Sequence, residues 1–387
     1  MPEPSATAAP SATPADLGPP QVELDRIVDH VRVFSQDIGA REAGSVEEDE
    51  AVAYAQRLLQ QWGYVVEVQA FEAQGPLPLH HTTLTADGRE IDAIALGASG
   101  PGNVSGRLVD AGTGQDADST NAADGAVVLI QRQDVFFVDM ARRARDAGAA
   151  GAIVTNREPG FFVGALDPPV DLPMVSISQE EGAALRDEMA DGDVEVAISV
   201  DGEAAAENVI ARPESGVCRT LSGGHLDSVP WAPGATDNAS GSAVVLELAR
   251  ASAAAGIDDA CFALFGAEEM GLLGSAFFVG GEERGALEAY YNYDVAAGTS
   301  EVRLIGDATL IDAVDLLADE AGIDAGPSQL AENAGSDHLS FIAAGIPALM
   351  LTASGPVTIH TPQDSFDNLA TDSLADIAGL GFALLRQ

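Results

Sequence analysis

The sequence predicts an α/β fold: a mixed, mostly parallel sheet sandwiched between helices, with a smaller α/β unit inserted near the middle. Three observations lead there. Short β-branched runs alternate with helical periodicities, the pattern of parallel strands covered on both faces. At 387 residues the chain is long for a single core, and about 150 residues per domain gives two or three units. Between residues 76 and 204 the pattern shifts to Gly- and Asp-rich loops enclosing two short α/β units, and beyond 204 the alternation of strands and helices returns.

The elements follow in order. Residues 1–20, rich in Pro, Ala, Ser and Thr, read as a disordered tail without the basic start and apolar run of a signal peptide. From Gln21, Leu24, Ile27, Val28 and Val31 recur at helical spacing. After the loop IGAREAGS a second helix begins with acids Glu47 to Glu50 in its first turn, shows Ala51, Tyr54, Leu58 and Leu59 on its apolar face, and stops at Gly63. YVVEVQAF (64–71) is a strand.

In the insertion, AVVLI (126–130), GAIVT (151–155) and LPMVSIS are strands, and residues 135–147 and 179 to about 189 are helices. The α/β pattern resumes at NVIARPE. It continues through GVCRTLSGGHLD, a helix over 240–255, CFALFGAEE, a strand over 290–293, a helix over 309–321, PALMLT, and a closing helix over 372–385. Residues 21–75 and 205–387 are therefore read as one domain interrupted by 76–204.

Composition removes several functions. Eighteen basic against 61 acidic residues leave a net charge of −43, so the surface repels phosphate and anionic lipid, and nucleic-acid and membrane partners are excluded. The chain contains no lysine, which rules out Schiff-base lysines and P-loop or kinase ATP sites. No G-x-S-x-G or G-x-G-x-x-G occurs. With 46% hydrophobic residues the chain still forms a core, and an acidic, lysine-free, core-forming composition reads as adaptation to high salt in a halophile. Cys218 and Cys261, too few for a disulfide framework, are expected to be buried free thiols. No run of roughly 18 apolar residues is present. The chain as written reads as cytoplasmic, with secretion the alternative.

Acids and histidines gather at the ends of the expected strands, the edge where open α/β sheets bind ligands. His225 ends one strand, Asp227 lies two residues on, and Asp237 precedes a helix. Glu268 and Glu269 end CFALFGA, Asp294 ends YYNY, and His360 follows PVTI. Singly, each has a bland reading: a core histidine, a helix cap, solvated charge. Together they point to coordination, because isolated buried carboxylates are costly. Histidine and carboxylate donors without cysteine suit Zn²⁺, with Co²⁺ or Mn²⁺ as substitutes. Glu268 and Glu269 point to opposite sides of the strand, so one can ligate while the other faces a water.

These residues sit in GGHLDSVPWAPGATDNASGSAVVLELA, FGAEEMGLLGS, NYDVAAG, GSDHLSF and IHTPQDSFDN, which resemble the zinc aminopeptidases of family M28. The insertion's AVVLIQRQDVFFVDMARRARDAGAAGAIVTN is similar to a protease-associated domain. The resemblance implies a zinc-peptidase (phosphorylase/hydrolase-like) α/β/α sandwich acting on peptide substrates, with two zinc ions bridged by Asp237. His225 and Asp294 would complete one ion's ligands, and Glu269 and His360 the other's. Glu268 would be the general base that takes a proton from a zinc-activated water, and Asp227 would orient the His225 ring. A cis peptide is implied between Asp237 and Asn238.

Many relatives carry Tyr where this chain has Ile359, which removes one donor to the oxyanion. Asp337 and His338 are candidates either for the wall of the substrate cleft or for a structural hydrogen-bond pair. The M20 peptidases, which insert a domain after the paired glutamates, fit less well than M28. Carboxypeptidase or glutaminyl-cyclase activity, and a receptor-like protein without activity, are the alternatives on this scaffold.

Overall fold

The computed structural model describes residues 17–72, 80–114, 124–133, 135–162, 164–203, 205–281, 287–330, 334–354 and 358–387. Most of the expected tail lies outside them. Residues 17–20 do not hang free: the Arg250 guanidinium donates to the Leu17 and Pro19 carbonyls and pairs with buried Glu247 at 2.7 Å.

Helix Leu24–Arg32 runs on into a π-turn, Val33–Ile38, which stops at Gly39 (φ 105°). Helix Val46–Gln61 starts where Ser45 Oγ accepts from the Glu48 amide at 3.1 Å, with acids in its first turn facing the positive end of the helix dipole. Strand β1 (Val65–Glu72) follows. The chain then builds β2 (His80–Ala86), β3 (Arg89–Ile91), β4 (Ile94–Ala95), β5 (Gly97–Ser99), β6 (Gly102–Asp110), β7 (Val127–Gln131), β8 (Gly151–Thr155), β9 (Ala165–Val170), β10 (Met174–Ile177) and β11 (Glu195–Glu203). It closes with β12 (Ala205–Arg212), β13 (Thr220–His225), β14 (Ala260–Phe265), β15 (Ala289–Tyr293), β16 (Thr299–Gly306), β17 (Ala325–Pro327) and β18 (Ala348–Ser354).

Two eight-stranded sheets result. The first runs β1-β12-β14-β13-β15-β18-β16-β17, with β14, β13, β15 and β18 parallel to one another and antiparallel pairings flanking them. Alternation along β14 shows why helices must cover both faces. Ala260, Phe262 and Leu264 enter the core under helices Leu24–Arg32, Val46–Gln61, Ser240–Ala255 and Leu374–Leu384, while Cys261, Ala263 and Phe265 enter a second core with Phe278 and Phe341. The second sheet, β3-β2-β11-β6-β7-β8-β10-β4, comes wholly from residues 80–203, with helix Phe137–Asp146 on one face and helix Gln179–Asp191 on the other.

Two expectations are corrected. The stretches around residues 80–110 and 195–203, read as loops, are strands; β6 buries only Leu108 fully among polar neighbours, so it carries no apolar run to read. The cysteines are not free thiols: Cys218 and Cys261 form a disulfide, Cα atoms 5.3 Å apart. Leu221 and Cys261 are register partners on adjacent parallel strands, which brings the segment just before β13 beside the start of β14.

Candidate active site

Strand β13 is the point where the sheet order reverses, since β14 lies on one side of it and β15 on the other. The crevice of an open α/β sheet opens at the carboxyl ends of such strands. His225 is the last residue of β13, Glu268 and Glu269 follow β14, Asp294 follows β15, and Asp237 precedes helix Ser240–Ala255. His360 reaches the same crevice from beyond β18, with φ 56°. The fold thus gathers residues up to 135 positions apart in sequence.

Asp237 stands at the centre. Its Oδ1 is 3.1 Å from His225 Nε2, and its Oδ2 is 3.1 Å from His360 Nε2. His225 Nε2 is also 3.3 Å from Asp294 Oδ1, and His360 Nε2 is 3.1 Å from Glu269 Oε2. Two trios result, His225–Asp237–Asp294 and Asp237–Glu269–His360, sharing one carboxylate. The first is buried, whereas the His360 side chain is 50% exposed, so the second trio is the one open to solvent. The peptide between Asp237 and Asn238 is cis, as the resemblance implies.

Backbone and buried polar groups hold these acids in place. Asp364 accepts from the amides of Thr236 (2.7 Å) and Asp237 (3.0 Å). Asn238 donates to the Tyr293 carbonyl at 3.0 Å and accepts from the Gly241 amide at 3.0 Å. Ser336 Oγ donates to Asp294 Oδ2 at 2.6 Å and itself accepts from Asn292, which accepts from the Tyr290 hydroxyl. The Asp227 carboxylate accepts from the amides of Glu268 (3.0 Å) and Glu269 (3.1 Å). Its own carbonyl oxygen, 3.1 Å from His225 Nδ1, is the nearer partner of that ring, with Oδ1 at 3.5 Å. Asp227 therefore orients His225 mainly through its backbone and fixes the paired glutamates through its side chain.

The electrostatics favour a bound cation. Burial opposes charge on His225, yet Glu268, Asp294 and its acceptors raise it well above the usual histidine range. Contacts with Asp237 and Glu269 raise His360 to about 10. Burial and the Asp237 charge push Glu269 up to about 7, and burial with neighbouring carboxylates raises Glu268 well above its ordinary value. Asp237 moves the other way: burial would raise it, but both imidazoles hold it below the carboxylate range. Glu269 Oε1 and Asp294 Oδ1 are buried without a hydrogen-bond partner among the described residues. Two donors on one tetrahedral zinc stand about 3.4 Å apart when ligand bonds are about 2.0–2.2 Å. The 3.1–3.3 Å contacts here match that spacing, so the residues present fit a pair of divalent ions.

The remaining sequence candidates are close by. Asp337 and His338 are buried; burial pushes Asp337 up to about 7, against the Ser275 hydroxyl beside its carboxylate, and burial lowers His338 to about 4. Ile359 is partly buried beside His360. Sequence reasoning missed Asp364, Ser336 and Arg41. All three lie inside motifs already noticed, IHTPQDSFDN, GSDHLSF and IGAREAGS.

The model for peptidase family M28 matches residues 208–384, and that for the PA domain matches residues 104–185. The chain belongs to peptidase family M28. It is a metallopeptidase of that family, with a protease-associated domain inserted ahead of the matched region. Aminopeptidase YwaD of Bacillus subtilis (strain 168) is 28% identical, covering 97% of this chain and 88% of that protein. Leucine aminopeptidase 2 of Trichophyton equinum is 32% identical over 72% of this chain, which spans 62% of that relative's length. Among solved structures, BSAP, a zinc aminopeptidase from Bacillus subtilis, aligns with a TM-score of 0.73 at 26% identity, covering 94% of both chains. An aminopeptidase from Aneurinibacillus sp. strain AM-1 aligns at 0.59 and 29% identity, covering 94% of this chain and 93% of that one.

Proposed function

We propose that this M28 peptidase is an aminopeptidase, releasing N-terminal residues from peptides with two zinc ions and Glu268 as general base. One observation carries the reading: Asp237 turns one oxygen to each of two histidine–carboxylate trios. His225, Asp237 and Asp294 would hold one ion, and Asp237, Glu269 and His360 the other; Co²⁺ or Mn²⁺ suits the same donors. When bound, the ions supply Lewis-acid polarisation of the scissile carbonyl and acidify water.

The chain's own residues do the rest. Glu268, partly exposed at the crevice, takes the proton of the attacking water and hands it to the leaving amine. Asp227 pins the Glu268 and Glu269 amides so that the base and the ligand keep separate positions. Ile359 offers no hydrogen-bond donor to the oxyanion. The excess of carboxylates favours a substrate's free α-ammonium. A carboxypeptidase would need a guanidinium turned to the substrate, but Arg41, which shares the field of these acids, is fully buried and directs its donors to backbone carbonyls. On this reading residues 21–75 and 205–387 form the peptidase unit and 76–204 the protease-associated unit. The Cys218–Cys261 disulfide favours an oxidising compartment over the cytoplasm.

The test separates the two glutamates. Glu268→Gln is expected to keep both ions per chain while turnover of a leucine arylamide falls roughly 10²- to 10⁴-fold, without rescue by added zinc. Glu269→Gln is expected to lose one ion and to recover in part with excess metal. Near-normal turnover of Glu268→Gln, or loss of zinc there while Glu269→Gln keeps both, overturns the assignment.

A further inference from the structure

The exposed trio is held by a contact that crosses from the inserted unit. Trp231, in the loop between β13 and Asp237, donates its indole N–H to the His360 carbonyl at 3.0 Å. The other anchor of that indole is Phe161, whose ring stacks on it with centroids 4.5 Å apart and planes 13° from parallel. Phe161 belongs to the segment joining β8 to β9, whose pairings all lie within residues 80–203.

Its backbone is pinned on both sides. Buried Asn156 donates Nδ2 to the carbonyls of Gly160 (3.0 Å) and Phe161 (3.1 Å), and buried Ser176 donates to the Phe162 carbonyl at 3.0 Å. The next ring, Phe162, stacks on Phe137 and lies under the Arg132 guanidinium at 4.4 Å. Phe161 is thus presented from a fixed base, while its ring points away from its own unit's core, which takes Phe162. On the other side, Arg41 holds the Pro233 and Gly234 carbonyls and Ser228 Oγ donates to the Ala232 carbonyl, so the loop carrying Trp231 is also anchored.

His360 has the greater need of such support. Its φ is 56°, a conformation that non-glycine residues rarely adopt, and its side chain is half exposed where that of His225 is 1% exposed. We propose that Phe161 of the inserted unit is a positioning residue of the peptidase site, bracing Trp231 so that its N–H holds His360 in place to ligate the second metal ion. The inserted unit is then a working part of the metal site. This rests on the two-metal reading above. Partners that orient a metal-bound histidine typically contribute 10- to 100-fold in metal affinity or activity, and the stack acts one step further out.

The experiment titrates zinc into metal-free full-length protein in competition with a chromophoric chelator, for wild type, Trp231→Phe, Phe161→Ala and Phe161→Tyr. Wild type is expected to bind two ions. Trp231→Phe, which keeps a ring but lacks the N–H, is expected to bind the weaker ion roughly 10- to 100-fold less tightly. Phe161→Ala is expected to shift that ion the same way by roughly 3- to 10-fold, with Phe161→Tyr restoring it. At limiting zinc, kcat of Phe161→Ala should fall with KM for a leucine arylamide unchanged, and saturating zinc should restore it. Thermal unfolding measured alongside distinguishes this from loss of fold. If wild type binds two ions and Phe161→Ala binds them with wild-type affinity, the positioning role is wrong, whether or not Trp231→Phe is weakened. A KM that rises with peptide length at normal zinc affinity also overturns it, making Phe161 a substrate contact. If wild type binds fewer than two ions, the two-metal reading fails first.

Discussion

Replacing Arg41 with Met tests what holds the crevice in shape. The guanidinium is fully buried and bonds to no carboxylate among the described residues; Nε donates to the Leu226 carbonyl (2.8 Å), Nη1 to Phe34 (3.0 Å), Gly39 (2.8 Å) and Pro233 (2.8 Å), and Nη2 to Gly234 (3.2 Å). Three of these carbonyls lie in the loop between His225 and Asp237. Burial lowers its pKa, and Asp227, Asp364, Asp237 and Glu269 offset part of that fall, leaving it at about 10. It therefore stays charged at neutral pH and offsets part of the field of those acids. Methionine fills much of the volume but takes one donor from each of five carbonyls. A buried unsatisfied group costs about 1–3 kcal/mol. The Phe34 and Gly234 carbonyls keep the Gly39 and Ala239 amides (3.0 and 2.9 Å), and those of Gly39 and Pro233 are partly open and can regain water, so the Leu226 carbonyl takes the one full penalty and the loss is about 2–3 kcal/mol. Arg41→Lys, which keeps the charge with three donors, should lose roughly half as much. Urea unfolding followed by circular dichroism reads both, with zinc per chain measured on the same samples. A loss under about 1 kcal/mol for Arg41→Met, with full zinc content, would refute the claim that these bonds organise the loop.

Acid should weaken the fold through His30, whose ring accepts from or donates to the Tyr54 hydroxyl at 2.7 Å and is held to about 4 by burial, reinforced by Arg26, Arg250 and Arg57. The unfolded chain takes up this proton near pH 6.5, so the contribution, about 3 kcal/mol, is complete above pH 6.5 and is lost as pH falls towards 4; His30→Gln should flatten the stability profile in that window, and an unchanged slope would contradict it. Reducing the Cys218–Cys261 bond, which spans a sequence separation of 43, should lower unfolding stability by about 4 kcal/mol in denaturant titrations with and without dithiothreitol, and identical midpoints would argue against its formation in solution. With a net charge of −43, melting temperature and activity should rise with KCl into the molar range; a melt unchanged or lowered between dilute buffer and about 2 M salt would count against the high-salt reading of the surface.

Much of the site is legible in the sequence because its chemistry is local along the chain. His225 and Asp227 share one strand end and Glu268 and Glu269 another, and the helix over Ser240–Ala255 follows Asp237 as its apolar period indicates. Residue type and strand-end position gather seven candidates, Asp227 and Glu268 among them, because buried carboxylates and imidazoles at such positions have few other uses; the division into ligands, base and orienting residue came from the resemblance to family M28. Periodicity likewise marks the buried central strands, whose β-branched runs face cores on both sides. It does not mark β6, where partly and fully exposed residues alternate and only Leu108 is buried. What required the tertiary structure was everything that depends on distance between segments far apart in the chain. Cys218 and Cys261 give no sign of pairing until β13 and β14 lie side by side. Asp364 and Arg41 are ordinary loop residues until the chain closes, when their hydrogen bonds fall on Asp237 and the loop before it. The Phe161–Trp231 stack joins residues 70 positions apart and in different units. Composition and period report which surfaces a segment must bury; which segments then meet is set by packing two sheets and their helices together, and only that geometry joins the inserted unit to His360.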